Sequence, residues 1–85
     1  MGFSVSRKFV GYVIGTAAEE FLSAVEEGPG WMMCAYAGHP DLALQFPGAA
    51  EARRMVQAID KLGVVALPLY DAGAQWWVDW GRPLS

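Results

Sequence analysis

The chain has 85 residues, of which 54% are hydrophobic, with four Trp, four Phe, three Tyr and a net charge of −3. That length supplies one domain and one core, burying roughly 60–65% of the surface exposed by the unfolded chain, and the composition excludes disorder, which needs low hydrophobicity and high charge. Six Lys and Arg against nine Asp and Glu argue against nucleic acid as a direct ligand, because phosphate binding needs clustered bases.

Residues 8–15, Lys-Phe-Val-Gly-Tyr-Val-Ile-Gly, are β-branched and aromatic and read as a strand. Gly11 and Gly15 suggest a bulge or a close backbone approach. Thr16-Ala17-Ala18 turns the chain, and 20–25 reads as the returning strand. A helix over 17–26, capped by Thr16, competes for the same residues. Residues 26–30, Glu-Glu-Gly-Pro-Gly, form a turn by composition. The apolar run 31–37 follows, bounded as a strand by Gly-Pro-Gly before it and Gly-His-Pro after it. Residues 41–46 form a short strand or a turn.

Between Pro47 and Leu62, the residues Ala49, Ala52, Met55, Val56, Ile59 and Leu62 fall at helical spacing and make one apolar stripe. Pro47 suits the first turn of that helix, and Gly63 suits the position after its end. Residues 64–70 read as a strand, expected to be an edge or bulged at Pro68, which has no N–H. Asp71-Ala72-Gly73-Ala74 is a hairpin loop with Gly73 at its left-handed position, and 75–80 returns as the last strand. The expected fold is a single α+β domain over 1–85: a small, mostly antiparallel sheet in the order β-β-β-α-β-β, with one helix packed on one face. The other face would then be open and would carry the surplus aromatics.

Alternation places Trp76, Val78 and Trp80 on one face of the last strand, and Gln75, Trp77 and Asp79 on the other. With the first set in the core, Trp77 stands on the open face, near Tyr70 and Trp31. Trp and Tyr bring large apolar area with few rotors, which suits a binding surface. Glu26, Glu27 and Asp79 are the candidate polar contributors. The expected partner-binding set is therefore Trp77, Tyr70, Trp31, Glu26, Glu27 and Asp79.

No catalytic residue, cofactor or metal is expected. The chain has no phosphate loop, dinucleotide fingerprint, nucleophile elbow or paired zinc motif. Cys34, His39 and Asp41 are the one group with nucleophile or metal potential, but Cys34 lies inside an apolar run, where a thiol behaves as a small hydrophobe. Cys34 is the single cysteine, so no intramolecular disulfide forms, and a reducing cytoplasm fits that usage. No apolar stretch is long enough to cross a membrane, and no secretory signal is visible.

The run from Trp31 through Ala43-Leu44-Gln45-Phe46 and the Ala-Glu-Ala helix at 49–59 to the strand at 64–70 resembles small proteins of phages and mobile elements. In size, acidity and build, with a single helix on a sheet, it is similar to several anti-CRISPR proteins. These do not form one homologous family, so no site residue carries over. The resemblance implies a non-enzymatic inhibitor in the bacterial host cytoplasm whose partner is a protein, a CRISPR effector subunit. The alternative is a self-associating structural or adaptor domain of a phage or bacterium, a homodimer joined through the open sheet face.

Overall fold

The β-branched and aromatic segments become strands, and the one segment with an apolar period near 3.6 becomes the helix. The computed structural model describes residues 7–84. Its elements are β1 (Lys8–Gly15), β2 (Phe21–Gly28), β3 (Trp31–Ala37), a 3-10 turn (Pro40–Leu42), α1 (Ala49–Ile59), β4 (Val65–Asp71) and β5 (Trp76–Val78). The architecture is mixed α+β. The five strands form one sheet in the order β3-β2-β1-β4-β5, and every pairing is antiparallel. The 3-10 turn overlaps the start of the segment 41–46, expected as a short strand or turn.

The competing helix over 17–26 does not form. The Thr16 hydroxyl accepts the N–H groups of Ala18 (3.2 Å) and Glu20 (3.3 Å), and Glu19 takes a left-handed φ of 59°. Thr16 thus closes a tight turn, and β2 begins at Phe21. Phe21 and Leu22 are both buried in separate clusters, on opposite faces, as successive residues of a strand must be. β2 also runs through Glu26, Glu27 and Gly28, which composition had placed in a turn. The reversal itself needs two residues, Pro29 and Gly30, with Gly30 at φ 77° as a type II turn requires.

The core is two-sided. On the helix face, Ile14, Leu22 and Ala66 pack with Ala52, Ile59 and Val64. On the other face, Val13, Phe21, Leu67 and Leu69 form a second cluster, supported by Val10, Ala43, Val65, Trp76 and Val78. That face is therefore not open, contrary to expectation. The sheet curls into a half-barrel, and Trp80 lies 5.6 Å from Phe21, centroid to centroid. The 3-10 turn also touches both β2 and β5 across the concave side.

Two breaks in strand phase shape the sheet. β1 shifts register between Phe9 and Gly11, and β2 shifts between Leu22 and Ala24. β1 and β2 pair at Gly15 and Phe21, and residues 44–46 then enter between them. The Leu44 N–H donates to the Leu22 carbonyl at 2.9 Å, and Phe46 exchanges two bonds of 2.8 Å with Tyr12. Gly11 makes room for this insertion: its φ is 147°, and a Cβ there would stand 2.7 Å from the Phe46 carbonyl oxygen.

Three further expectations change. Pro68 lies on an internal strand, between β1 and β5, and the register shift nearby is on β1. The Pro68 carbonyl accepts the Asp79 N–H at 3.1 Å, but Pro68 has no N–H to return, so the β4–β5 ladder stops at Val78. The last strand is accordingly shorter than 75–80, and Trp80 falls beyond it. The helix also ends before Leu62, because Asp60 caps it in the left-handed conformation at φ 52°. Leu62 leaves the apolar stripe and is fully exposed.

Candidate protein-binding surface

The register of three strands builds an aromatic cluster. Phe9 on β1 pairs with Tyr70 on β4, and Tyr70 pairs with Trp77 on β5. The shift between Phe9 and Gly11 brings Phe9 onto the same face as Tyr12. The Phe9 ring sits 5.2 Å from Tyr12 and 5.7 Å from Tyr70, both edge-to-face, and Tyr70 sits 5.3 Å from Trp77. The Arg7 guanidinium carbon lies 4.1 Å from the Trp77 ring centroid, a cation–π contact.

Tyr12 also packs against the Ile14–Ala52–Ile59 cluster, so these rings share the helix face of the sheet. The eleven-residue helix does not cover them fully: Phe9 is 47% exposed and Trp77 37%. The result is a row of rings held by one another and by strand pairing, with a fixed positive charge at its rim. Large aromatic area at low entropic cost, flanked by an Arg, is the make-up of a protein-binding hot spot.

Of the expected set, the fold brings Tyr70 and Trp77 together and leaves the others elsewhere. Trp31 is on β3, at the opposite end of the sheet. It also faces the other way: Met32, Cys34 and Tyr36 pack on the helix side, so Trp31 and Met33 point to the concave side. Trp31 is half-exposed, and its indole lies over Gly28, which has no Cβ to obstruct it. Glu26, opposite Met33 on β2, shares the concave side with Trp31, whereas Glu27, opposite Met32, faces the helix side. Asp79 is engaged locally. Its carboxylate accepts the Gly81 N–H at 3.0 Å and meets Arg82 at 3.6 Å. Phe9, Tyr12 and Arg7 were absent from the expected set. Gly11, which marked a bulge, was the signal that could have joined Phe9 to Tyr12.

His39 and Asp41 line an open cleft of about 530 Å3 with Asp71, Gly73 and Trp76. The Asp71 carboxylate in that cleft is already bonded to the Gly73 N–H at 2.9 Å. Cys34 lines a different, smaller groove of about 220 Å3 on β2 and β3. The Cys34, His39 and Asp41 positions are therefore not joined in one pocket. Among the described residues no group of three His, Cys, Asp or Glu side chains could hold a metal ion. Burial, then the neighbouring Cys34 thiol and the charge of Glu20, hold the Tyr36 phenol above its ordinary pKa. Among the described residues no helix is long and apolar enough to cross a membrane.

No protein family, curated protein or solved structure matches the chain.

Proposed function

We propose that this chain works by docking on another protein and blocking part of its surface, with the ring row of Phe9, Tyr12, Tyr70 and Trp77 as the contact. The observation that carries this reading is the half-exposed Trp77, braced by Tyr70 on one side and topped by the Arg7 guanidinium. An anchor already held in place loses little conformational entropy on binding. Arg7 offers fork-shaped donors to a carboxylate or a backbone carbonyl on the partner. The resemblance in architecture to anti-CRISPR proteins makes a CRISPR effector subunit the first partner to test, bound as protein and not through its nucleic acid.

The test is direct binding of the purified chain to purified CRISPR effector complexes, read alongside inhibition of target cleavage. The expected result is stoichiometric binding that Trp77→Ala weakens by more than about 2 kcal/mol, the usual threshold for a hot spot. Circular dichroism checks that the variant still folds. Binding that Trp77→Ala leaves unchanged would remove the ring row as the contact. A failure of every effector to bind would remove that partner class and leave the docking reading to be tested on other proteins.

A further inference from the structure

We infer that β3 is a dimerisation strand, pairing antiparallel with β3 of a second copy about a two-fold axis at Cys34. The argument starts from one bond. Leu22 pairs with Tyr36, yet the Leu22 carbonyl turns away from β3 to accept the Leu44 N–H at 2.9 Å. Leu22 and Tyr36 are thus a pair that exchanges no hydrogen bonds, and the N–H and C=O of Tyr36 point out of the sheet. These directions alternate along a strand, so Cys34 and Met32 also point their backbone groups outward. β3 is the outermost strand of the sheet on that side. Among the described residues nothing pairs with its outer edge, which presents donors and acceptors from Met32, Cys34 and Tyr36.

Sheet edges are ordinarily protected by a charge, a proline, a bulge or extreme shortness. β3 has none of these: it is seven residues long, reads WMMCAYA, and its register shift is on the β2 side. The other edge strand, β5, has three residues. A second copy fits this edge because the strand is self-complementary. Cys34 is the middle residue of β3 and one of the outward-pointing ones, so a two-fold axis there sets Cys34 against Cys34 of the other copy. Met32 then meets Tyr36, and each outward N–H finds an outward C=O. On the concave side, Met33 meets Ala35 and Trp31 meets Ala37, a large residue against a small one each time. No charge on the strand opposes the approach of two chains that each carry −3. The aromatic row around Trp77 lies at the far end of the sheet and stays free in each copy.

Pairing one strand edge buries a modest area, and the expected dimer is a weak one, with a dissociation constant on the order of 10 µM. Sedimentation equilibrium of the full chain in reductant should show a mass rising with concentration from 9.2 kDa toward twice that value. Amide exchange followed by NMR should show the N–H groups of Met32, Cys34 and Tyr36 protected in the dimer and fast on dilution.

Ala35→Lys, at an exposed position, should weaken association about ten-fold or more. Mixing that variant with Met33→Glu should restore pairing through a Lys–Glu contact across the axis. A chain that stays monomeric throughout the range would overturn the inference. So would a dimer in which those three amides exchange as fast as in the monomer, or one indifferent to Ala35→Lys.

Discussion

The β1–β4–β5 part of the sheet and the outer strand of the β2–β3 ribbon are built from the same kinds of residue and end up in opposite states. In the first, Val13, Ile14, Leu67 and Leu69 are fully buried, two-sided, beneath α1 on one face and the curled sheet on the other. In the second, Met33 is 64% exposed and Trp31 50%. Side-chain hydrophobicity does not explain the difference. What explains it is the position of each strand: α1 contacts mainly β1 and β4, whereas among the described residues β3 has a neighbour on one side alone. Apolar residues on central strands make the core, and apolar residues on an unguarded edge are available to a partner.

The comparison breaks most visibly on core truncation. Leu67→Ala removes a fully buried side chain from the cluster on the face away from the helix and should cost about 2–5 kcal/mol in urea unfolding. Met33→Ala on the ribbon should stay within about 0.5 kcal/mol under conditions where the chain is monomeric. Near-equal values would mean that the face away from the helix is not a true core. The next effect concerns Gly11. A side chain there is strained by the φ of 147° and meets the Phe46 carbonyl, so Gly11→Ala should cost about 2–4 kcal/mol by loss of the Tyr12–Phe46 bridge. Gly38→Ala, in open space without a positive φ, should be close to neutral in the same thermal or urea melt.

Much of this was legible in the chain, and the illegible part has a common cause. The strand at 8–15, the helix stripe from Ala49 to Ile59 and the loop around Gly73 each carry local signals, and local signals survive folding. Which face each aromatic occupies depends on phase, and phase slips at the Phe9–Gly11 and Leu22–Ala24 shifts. No count along the sequence tells on which strand a bulge is resolved. The place of Pro68 on an inner strand depends on β5 pairing beside β4, a fact of pairing and not of composition. Trp31 and Trp77 look equivalent as exposed tryptophans, yet the sheet order sends them to opposite ends.

That last contrast can be measured. Trp77 has a ring partner in Tyr70 and a cation in Arg7, contacts worth together about 1–2 kcal/mol beyond area burial. Trp77→Ala should therefore destabilise the monomer more than Trp31→Ala, whose indole rests on a glycine. If Trp31→Ala proved the costlier of the two, the ribbon would be more tightly packed than its exposure implies.

The smallest effect distinguishes the inner face of the ribbon from its outer one. Tyr36 lies on the helix side of β3, where burial and the Cys34 thiol disfavour its phenolate. In the unfolded chain the phenol ionises near pH 10. The folded chain holds its proton to higher pH, so at alkaline pH the unfolded state binds fewer protons than the native one. Stability from this group is therefore unchanged below about pH 10 and falls as the pH rises from there toward the folded value. Ultraviolet titration of the chain against Tyr36→Phe should assign the late-ionising phenolate to this residue. Cys34→Ala removes one cause of the shift and leaves the larger one, burial, so the transition should move back only partly toward the ordinary range. A full return would make the thiol the main cause, and no movement would mean that Cys34 does not act on the phenol at all.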